Sequence, residues 1–154
     1  MADLTIAEES PLNADLGLLM ARHRDAMHAD TPPESIHMMD AGALAAPGIR
    51  FFVMRRAGAP VAMGAFKRLA GTHAEIKSMH VLDEARGQGL ARAMLDHLMA
   101  AAKADGITRL SLETGAQDSF AAARRLYEAA GFVPCDPFEG YATDPNSAFL
   151  TREI

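Results

Sequence analysis

Apolar residues recur along this chain with two distinct periods, and the switches between them mark out its elements. Residues 3–8, DLTIAE, alternate enough to predict a first strand. From about Asn13 to Ala29 the period lengthens: Leu16, Leu19, Met20, His23 and Met27 fall at helical spacings and form a one-sided stripe. Thr31-Pro32-Pro33 ends that helix, because proline cannot continue it and also restricts the residue before it. A short helical piece around Met38–Ala46 stops at Pro47-Gly48.

Two β-rich runs follow, Ile49–Arg55 and Val61–Leu69, separated by RAGAP at 56–60, which signals a hairpin. A third run, Ala74–Leu82, reads AEIKSMHVL. Ile76, Ser78 and His80 alternate with Lys77, Met79 and Val81, so one face is more polar than a buried strand usually tolerates. Gly89–Ala104 predicts a helix with Leu90, Met94, Leu98 and Ala101 on one face and an Asp105-Gly106 stop. Arg109–Glu113 is a short strand and Ser119–Ala130 a helix ended by Gly131. Phe132–Cys135 and Ala148–Glu153 are closing strands. Antiparallel strands feeding one βαβ crossover imply an α/β protein of the α+β kind, with a mixed sheet and helices on both faces.

The length, 154 residues, holds one hydrophobic core and is too short for two, so residues 1–154 are expected to form a single domain. With 10 methionines and no Trp, that core is expected to be filled largely by aliphatic and Met side chains. The net charge of −5, with basic residues clustered no further than pairs such as Arg55-Arg56, excludes the one-sided basic surface that nucleic-acid binding needs. Cys135 is the only cysteine, so no internal disulfide forms. The first residues lack a signal-peptide pattern, and no apolar run nears the roughly 20 residues of a membrane span. A cytoplasmic location without membrane association is the expectation.

The segment 81–91, VLDEARGQGLA, is the most informative. It joins a predicted strand to an amphipathic helix, where unpaired backbone amides carry partial positive charge and suit a phosphate or diphosphate. Gly87 and Gly89 let the backbone approach such a group closely, and Arg86 can add a charged contact. A dinucleotide fingerprint is the first alternative, but its third glycine position holds Arg92. A glycine-containing loop with no ligand is the second.

Residues 86–91 (RGQGLA), preceded by Met79-His80-Val81 at the end of a strand, resemble the R/Q-x-x-G-x-G/A signature of GNAT N-acetyltransferases. Residues 123–132 (ARRLYEAAGF) resemble the A-x-x-L-Y-x-x-x-G-F helix of the same superfamily. The likeness is close over residues 50–135 and extends to the whole chain by element order. Two segments, TPPESIH at 31–37 and DPNS at 144–147, resemble a bacterial branch of the family. Phe120 departs from the pattern, standing where many members carry an Asn that contacts the cofactor, and Asp83 replaces a common proline.

The resemblance implies a GNAT fold: a mixed, mostly antiparallel sheet of six to seven strands, splayed after the fourth by a bulge, with helices on both faces. It implies acetyl-CoA as co-substrate, with Met79, His80 and Val81 along its pantetheine arm and Arg86, Gly87, Gln88, Gly89, Leu90 and Ala91 around its diphosphate. A homodimer is common in the family, although no specific interface patch is visible here.

Acetyl transfer from a thioester to an amine requires deprotonation of an ammonium with a pKa near ~10.4, in-line placement, oxyanion donors and a proton for the departing thiolate. Glu75, four residues before Met79 and matching a glutamate catalytic in some members, is the expected base, acting directly or through a water. Its bland reading is a strand glutamate paired with Lys77 or Arg68, and His80 and Glu113 are reserves. Tyr127, at the family's helix tyrosine, is the expected acid. The alternative is plain core, since Phe120, Ala123, Tyr127 and Ala130 form a helical stripe. The acceptor site is expected from His28, Glu34, Ser35, His37 and Tyr141, with Asp144 and Asn146 nearby. His23, His28 and His37 lack a metal-ligand spacing, so no metal is expected. The expected function is transfer of an acetyl group to a small-molecule or amino-acid amine. A protein N-terminus or lysine acetyltransferase and a non-catalytic acyl-CoA-binding module are the alternatives.

Overall fold

The computed structural model describes residues 3–154. Its strands are β1 (Leu4–Glu8), β2 (Ile49–Arg56), β3 (Ala59–Arg68), β4 (His73–Val81), β5 (Arg109–Gly115), β6 (Val133–Pro134) and β7 (Ser147–Glu153). Its helices are α1 (Gly17–Asp30), α2 (Ala41–Leu44), α3 (Leu90–Ala104) and α4 (Ala121–Ala129). The strands form one sheet of 7 in the order β1-β2-β3-β4-β5-β7-β6, as the mixed α/β reading anticipates. Only β4 and β5 pair parallel, around the α3 crossover.

Strand alternation distributes the core over both faces of this sheet. Phe52, Met54, Ala62 and Phe66 pack with Leu90, Met94, Leu95 and Leu98 of α3 and with Tyr127 of α4. Phe51, Val53, Met63 and Ala65 point to the other face, where Leu16, Leu19 and Leu44 cover them. No helix among the described residues is long and apolar enough to cross a membrane.

Several boundaries differ from the sequence reading for local reasons. The β2–β3 connection is a two-residue turn, with Ala57 and Gly58 both at positive φ, so Arg56 already pairs with Ala59 and the strand starts before Val61. Residues Ala14–Leu16 form a 3-10 turn ahead of α1. The second helix shrinks to Ala41–Leu44, where Asp40 Oδ1 accepts the Ala43 amide at 2.8 Å as an N-cap. The stripe of α1 is only partly core: Leu19 is buried, whereas His23 and Met27 face a cleft.

Two irregularities shape that cleft. Met63 pairs with His80 and Ala65 with Lys77, so two steps along β3 oppose three along β4, and the extra residue makes a bulge. Ser78 lies there with φ 58°. On its other side, β4 pairs with β5 only from His73–Arg109 to Glu75–Ser111, although the strands continue to Val81 and Gly115. Beyond Glu75 the ladder opens, so the strand edges diverge.

Candidate functional site

A cleft of ≈ 710 Å³ begins where β4 and β5 part and runs to the first turn of α3. At its α3 end, a 3-10 turn (Asp83–Ala85) leads into Gly87 and Gly89, whose φ values of 76° and 78° are ones L side chains rarely adopt. The amides from Gly87 to Arg92 have no backbone acceptor among the described residues; the first reverse bond is from Ala93 N to Gly89 O at 3.1 Å. This end is therefore a set of unpaired donors at the positive pole of a 15-residue helix.

Of the residues expected around a cofactor, Met79, His80, Val81, Arg86, Gly87, Gly89, Leu90 and Ala91 line the cleft. The Gln88 side chain does not. Its Oε1 accepts from Arg56 Nη2 at 2.6 Å on the surface, leaving only its amide for the mouth. Arg86 folds back, donating from Nε to Val81 O at 3.2 Å and pairing with Asp83 at 3.1 Å, yet remains more than half exposed. The bulge brings a further residue to the cleft wall, Ser78, which the sequence marks only as part of a polar strand face. Ser78 Oγ is buried without a hydrogen-bond partner among the described residues.

Midway along, His23 of α1 meets His80 of β4 with ring centroids 5.2 Å apart. Burial pushes both imidazoles down to about 4, each further opposed by neighbouring positive charge, from His80 on His23 and from Arg86 on His80. Tyr127 lines the opposite wall. Burial raises its phenol well above the usual range, and its hydroxyl has no hydrogen-bond partner among the described residues. Phe120 also lines the cleft and packs so closely on Gly115 that no side chain fits at that position.

Beyond the splay point lies a polar cluster. Glu75, 3% exposed, accepts from Tyr141 Oη at 2.7 Å and contacts Lys77 Nζ at 3.3 Å. Lys77 also donates to Tyr141 Oη at 2.9 Å and to the His37 carbonyl at 3.0 Å. The ring Nδ1 of His37 lies 2.7 and 2.8 Å from the two oxygens of Glu113. Burial, reinforced by the Glu75 hydrogen bond, holds the Tyr141 phenol well above its usual range, so it stays a donor.

The structure thus brings Glu75, His37 and Tyr141 together, but not the other expected acceptor residues. His28 and Glu34 are exposed and lie outside the lining. Ser35 is buried, and its hydroxyl donates to Asp144 Oδ2 at 2.6 Å instead of facing the cleft. Lys77, the bridge of the cluster, was read only as a charge partner for Glu75. Its neighbour Ser78 was legible only as part of the polar face of β4.

The orphaned Ser78 hydroxyl, the diverging strand edges and the row of free amides fit an elongated ligand with amides along its arm and a diphosphate at one end, as coenzyme A has. Among the described residues no group of His, Cys, Asp and Glu is arranged to hold a metal.

Comparison with known proteins agrees with this geometry. A sequence model of the acetyltransferase (GNAT) family matches residues 18–132. The uncharacterized N-acetyltransferase YsnE of Bacillus subtilis (strain 168) is 40% identical over 136 residues, covering 88% of this chain and 90% of its own. The IAA acetyltransferase of Azospirillum brasilense is 38% identical over an alignment that covers 100% of both chains. Among solved structures, the PaiA N-acetyltransferase of Thermoplasma acidophilum, in complex with coenzyme A, superposes with a TM-score of 0.77. It covers 98% of this chain and 99% of that one at 14% identity, a likeness of fold.

Proposed function

The chain belongs to the acetyltransferase (GNAT) family, acyltransferases that draw on acetyl-CoA, and from that premise we propose that it acetylates the primary amine of a small molecule by direct attack in a ternary complex. The observation that carries the small-acceptor reading is the set of hydrogen bonds that tie two loops to β4 at one end of the cleft. Tyr141 reaches from the late loop to Glu75, and Lys77 holds the main chain at His37. A protein lysine or N-terminus would need an open groove there, whereas a small amine fits beneath tied loops.

Within this scheme the amides of Gly87–Arg92 hold the diphosphate, with Arg86 as an exposed positive charge beside it. The free edges of β4 and β5 receive the arm of the donor by backbone pairing, along Met79 and Val81. Bound there, acetyl-CoA supplies an acetyl group activated as a thioester. Tyr127 keeps its proton at neutral pH and donates it to the departing sulfur. Glu75 anchors the acceptor wall through Tyr141 and Lys77.

The test is thiol release from acetyl-CoA with ethanolamine, putrescine, L-lysine, L-methionine and a short peptide bearing a free N-terminus and one lysine. Turnover with a small amine or amino acid and little with the peptide is expected. Preference for the peptide would replace the small-acceptor reading. Calorimetric binding of coenzyme A without turnover of any acceptor would make the chain a binding module.

A further inference from the structure

His37 is held from both ends. Its carbonyl accepts from Lys77 Nζ at 3.0 Å, and its ring meets Glu113 through Nδ1 at 2.7 and 2.8 Å. A carboxylate facing Nδ1 accepts a proton from it, so the lone pair of the neutral ring falls on Nε2. Among the described residues the hydrogen bonds of the ring all fall on Nδ1, and Nε2 has no partner. The ring is 33% exposed and lines the cleft, while Glu113 is 11% exposed. Glu113 stands on β5 two residues past Ser111, the last to pair with β4, and so lies on the opened stretch of the splay.

The other titratable groups in the cleft are less suited to take a proton. The Glu75 oxygen that faces the cluster already accepts from Tyr141 and contacts the Lys77 ammonium. His23 and His80 are desolvated and shifted down to about 4, which leaves them weakly basic. His37 is faced by Glu113 from β5, by Glu75 and Lys77 from β4, and by Tyr141 and Asp144 from the late loop.

We propose that His37 is the general base of the acetyl transfer, with Nε2 taking the acceptor's proton, and that Glu113 is its positioning residue. The assignment rests on the acetyl-transfer reading above. The balance is as follows: His37 Nε2 removes one proton from the ammonium and passes it to solvent. The freed nitrogen attacks the thioester carbon, the C–N bond forms and the C–S bond breaks. The sulfur leaves with the Tyr127 proton, and the second proton shed by nitrogen restores the phenol. Such a Glu–His pair would give the TPPESIH segment, whose last residue is His37, its chemical purpose.

The test uses the full chain, acetyl-CoA and whichever amine of the panel turns over fastest. In His37→Gln, kcat at neutral pH should fall about 100-fold or more. The acidic limb of the rate profile should vanish, while calorimetric binding of coenzyme A stays unchanged. Added imidazole should restore part of the rate to His37→Ala. In Glu113→Gln kcat should fall while calorimetric binding of coenzyme A stays unchanged, because the ring loses the carboxylate that orients it. Nitrogen-15 spectra of the ring should show Nδ1–H as the dominant tautomer in the wild type. The proposal is overturned if His37→Gln keeps the acidic limb, if Glu75→Gln alone removes it, or if Nε2–H dominates. If the wild type binds coenzyme A but turns over no amine, the acetyl-transfer reading itself has failed and the assignment falls with it.

Discussion

Ser35 donates its hydroxyl proton to Asp144 Oδ2 at 2.6 Å, joining two segments 109 residues apart in the chain. Asp144 Oδ1 accepts the Asn146 amide at 2.8 Å, and the Asn146 side chain approaches Ser35 Oγ at 3.4 Å. The Ser35 hydrogen bond, followed by the Asn146 amide, holds the Asp144 carboxyl below the usual carboxylate range. The tie lies two residues before His37 and three after Tyr141, so it sets the distance between the two loops at the acceptor end. Ser35→Ala should therefore raise KM for the amine about tenfold while KM for acetyl-CoA stays put, since misplaced reacting groups cost rate without disturbing remote binding. Equal rises in both constants would show that the tie does not act locally.

Gly89 caps α3 at φ 78°, and a β-carbon placed there would meet nothing within 4 Å. Gly89→Val thus costs the fold only the left-handed strain, roughly 1–2 kcal/mol. Its side chain would project from the row of amides meant for the diphosphate. A calorimetric titration should lose the heat of coenzyme A binding while the melting transition remains cooperative. Undiminished binding would remove the helix mouth from the cofactor site.

Tyr127 packs edge-on against Phe132 with ring centroids 5.8 Å apart, a contact that phenylalanine would keep. Its hydroxyl, which has no partner among the described residues, adds little to the fold. Tyr127→Phe should leave the denaturant midpoint unchanged and lower kcat by about 10- to 100-fold by withholding the thiolate's proton. An unaffected kcat would return Tyr127 to the plain core role its helical stripe also allows.

Features with a local cause were legible in the sequence. The polar face of β4 was visible in its alternation, whereas the bulge at Ser78 was expected only through the family resemblance. The α3 face was readable from its period, although Leu95 and Ala102 are buried in addition to the expected Leu90, Met94 and Leu98, and the expected Ala101 is only half-buried. Long-range pairings left no such trace. His37 and Glu113 are 76 residues apart, and each had a separate expected role, as an acceptor contact and a reserve base. Nothing in a one-dimensional pattern says that a loop residue will land on a splayed strand. His23 and Met27 fit the stripe of α1 equally well whether it faces core or cleft, so periodicity alone could not place them. Gln88 shows the opposite hazard: a signature position whose side chain is drawn to Arg56.

The pair His23 and His80 makes stability depend on pH in a defined window. Both rings sit at about 4 in the folded protein against 6.5 as the ordinary value, chiefly through burial. Between those values the unfolded chain binds protons that the folded one refuses, so stability rises with pH there. It is complete above about pH 6.5 and lost as pH falls towards 4. At pH 5 the loss is about 2 kcal/mol for each ring at most. His73, shifted down by burial and then by Arg109, acts in the same direction. Carboxylates such as Glu9, held down chiefly by its hydrogen bond from Arg55, contribute only at lower pH, as they begin to protonate in the unfolded chain. Urea midpoints taken between pH 7.5 and 5 should therefore fall for the wild type and flatten in a His23→Gln, His80→Gln double variant. A wild-type midpoint constant across that range would mean that water reaches both rings in solution.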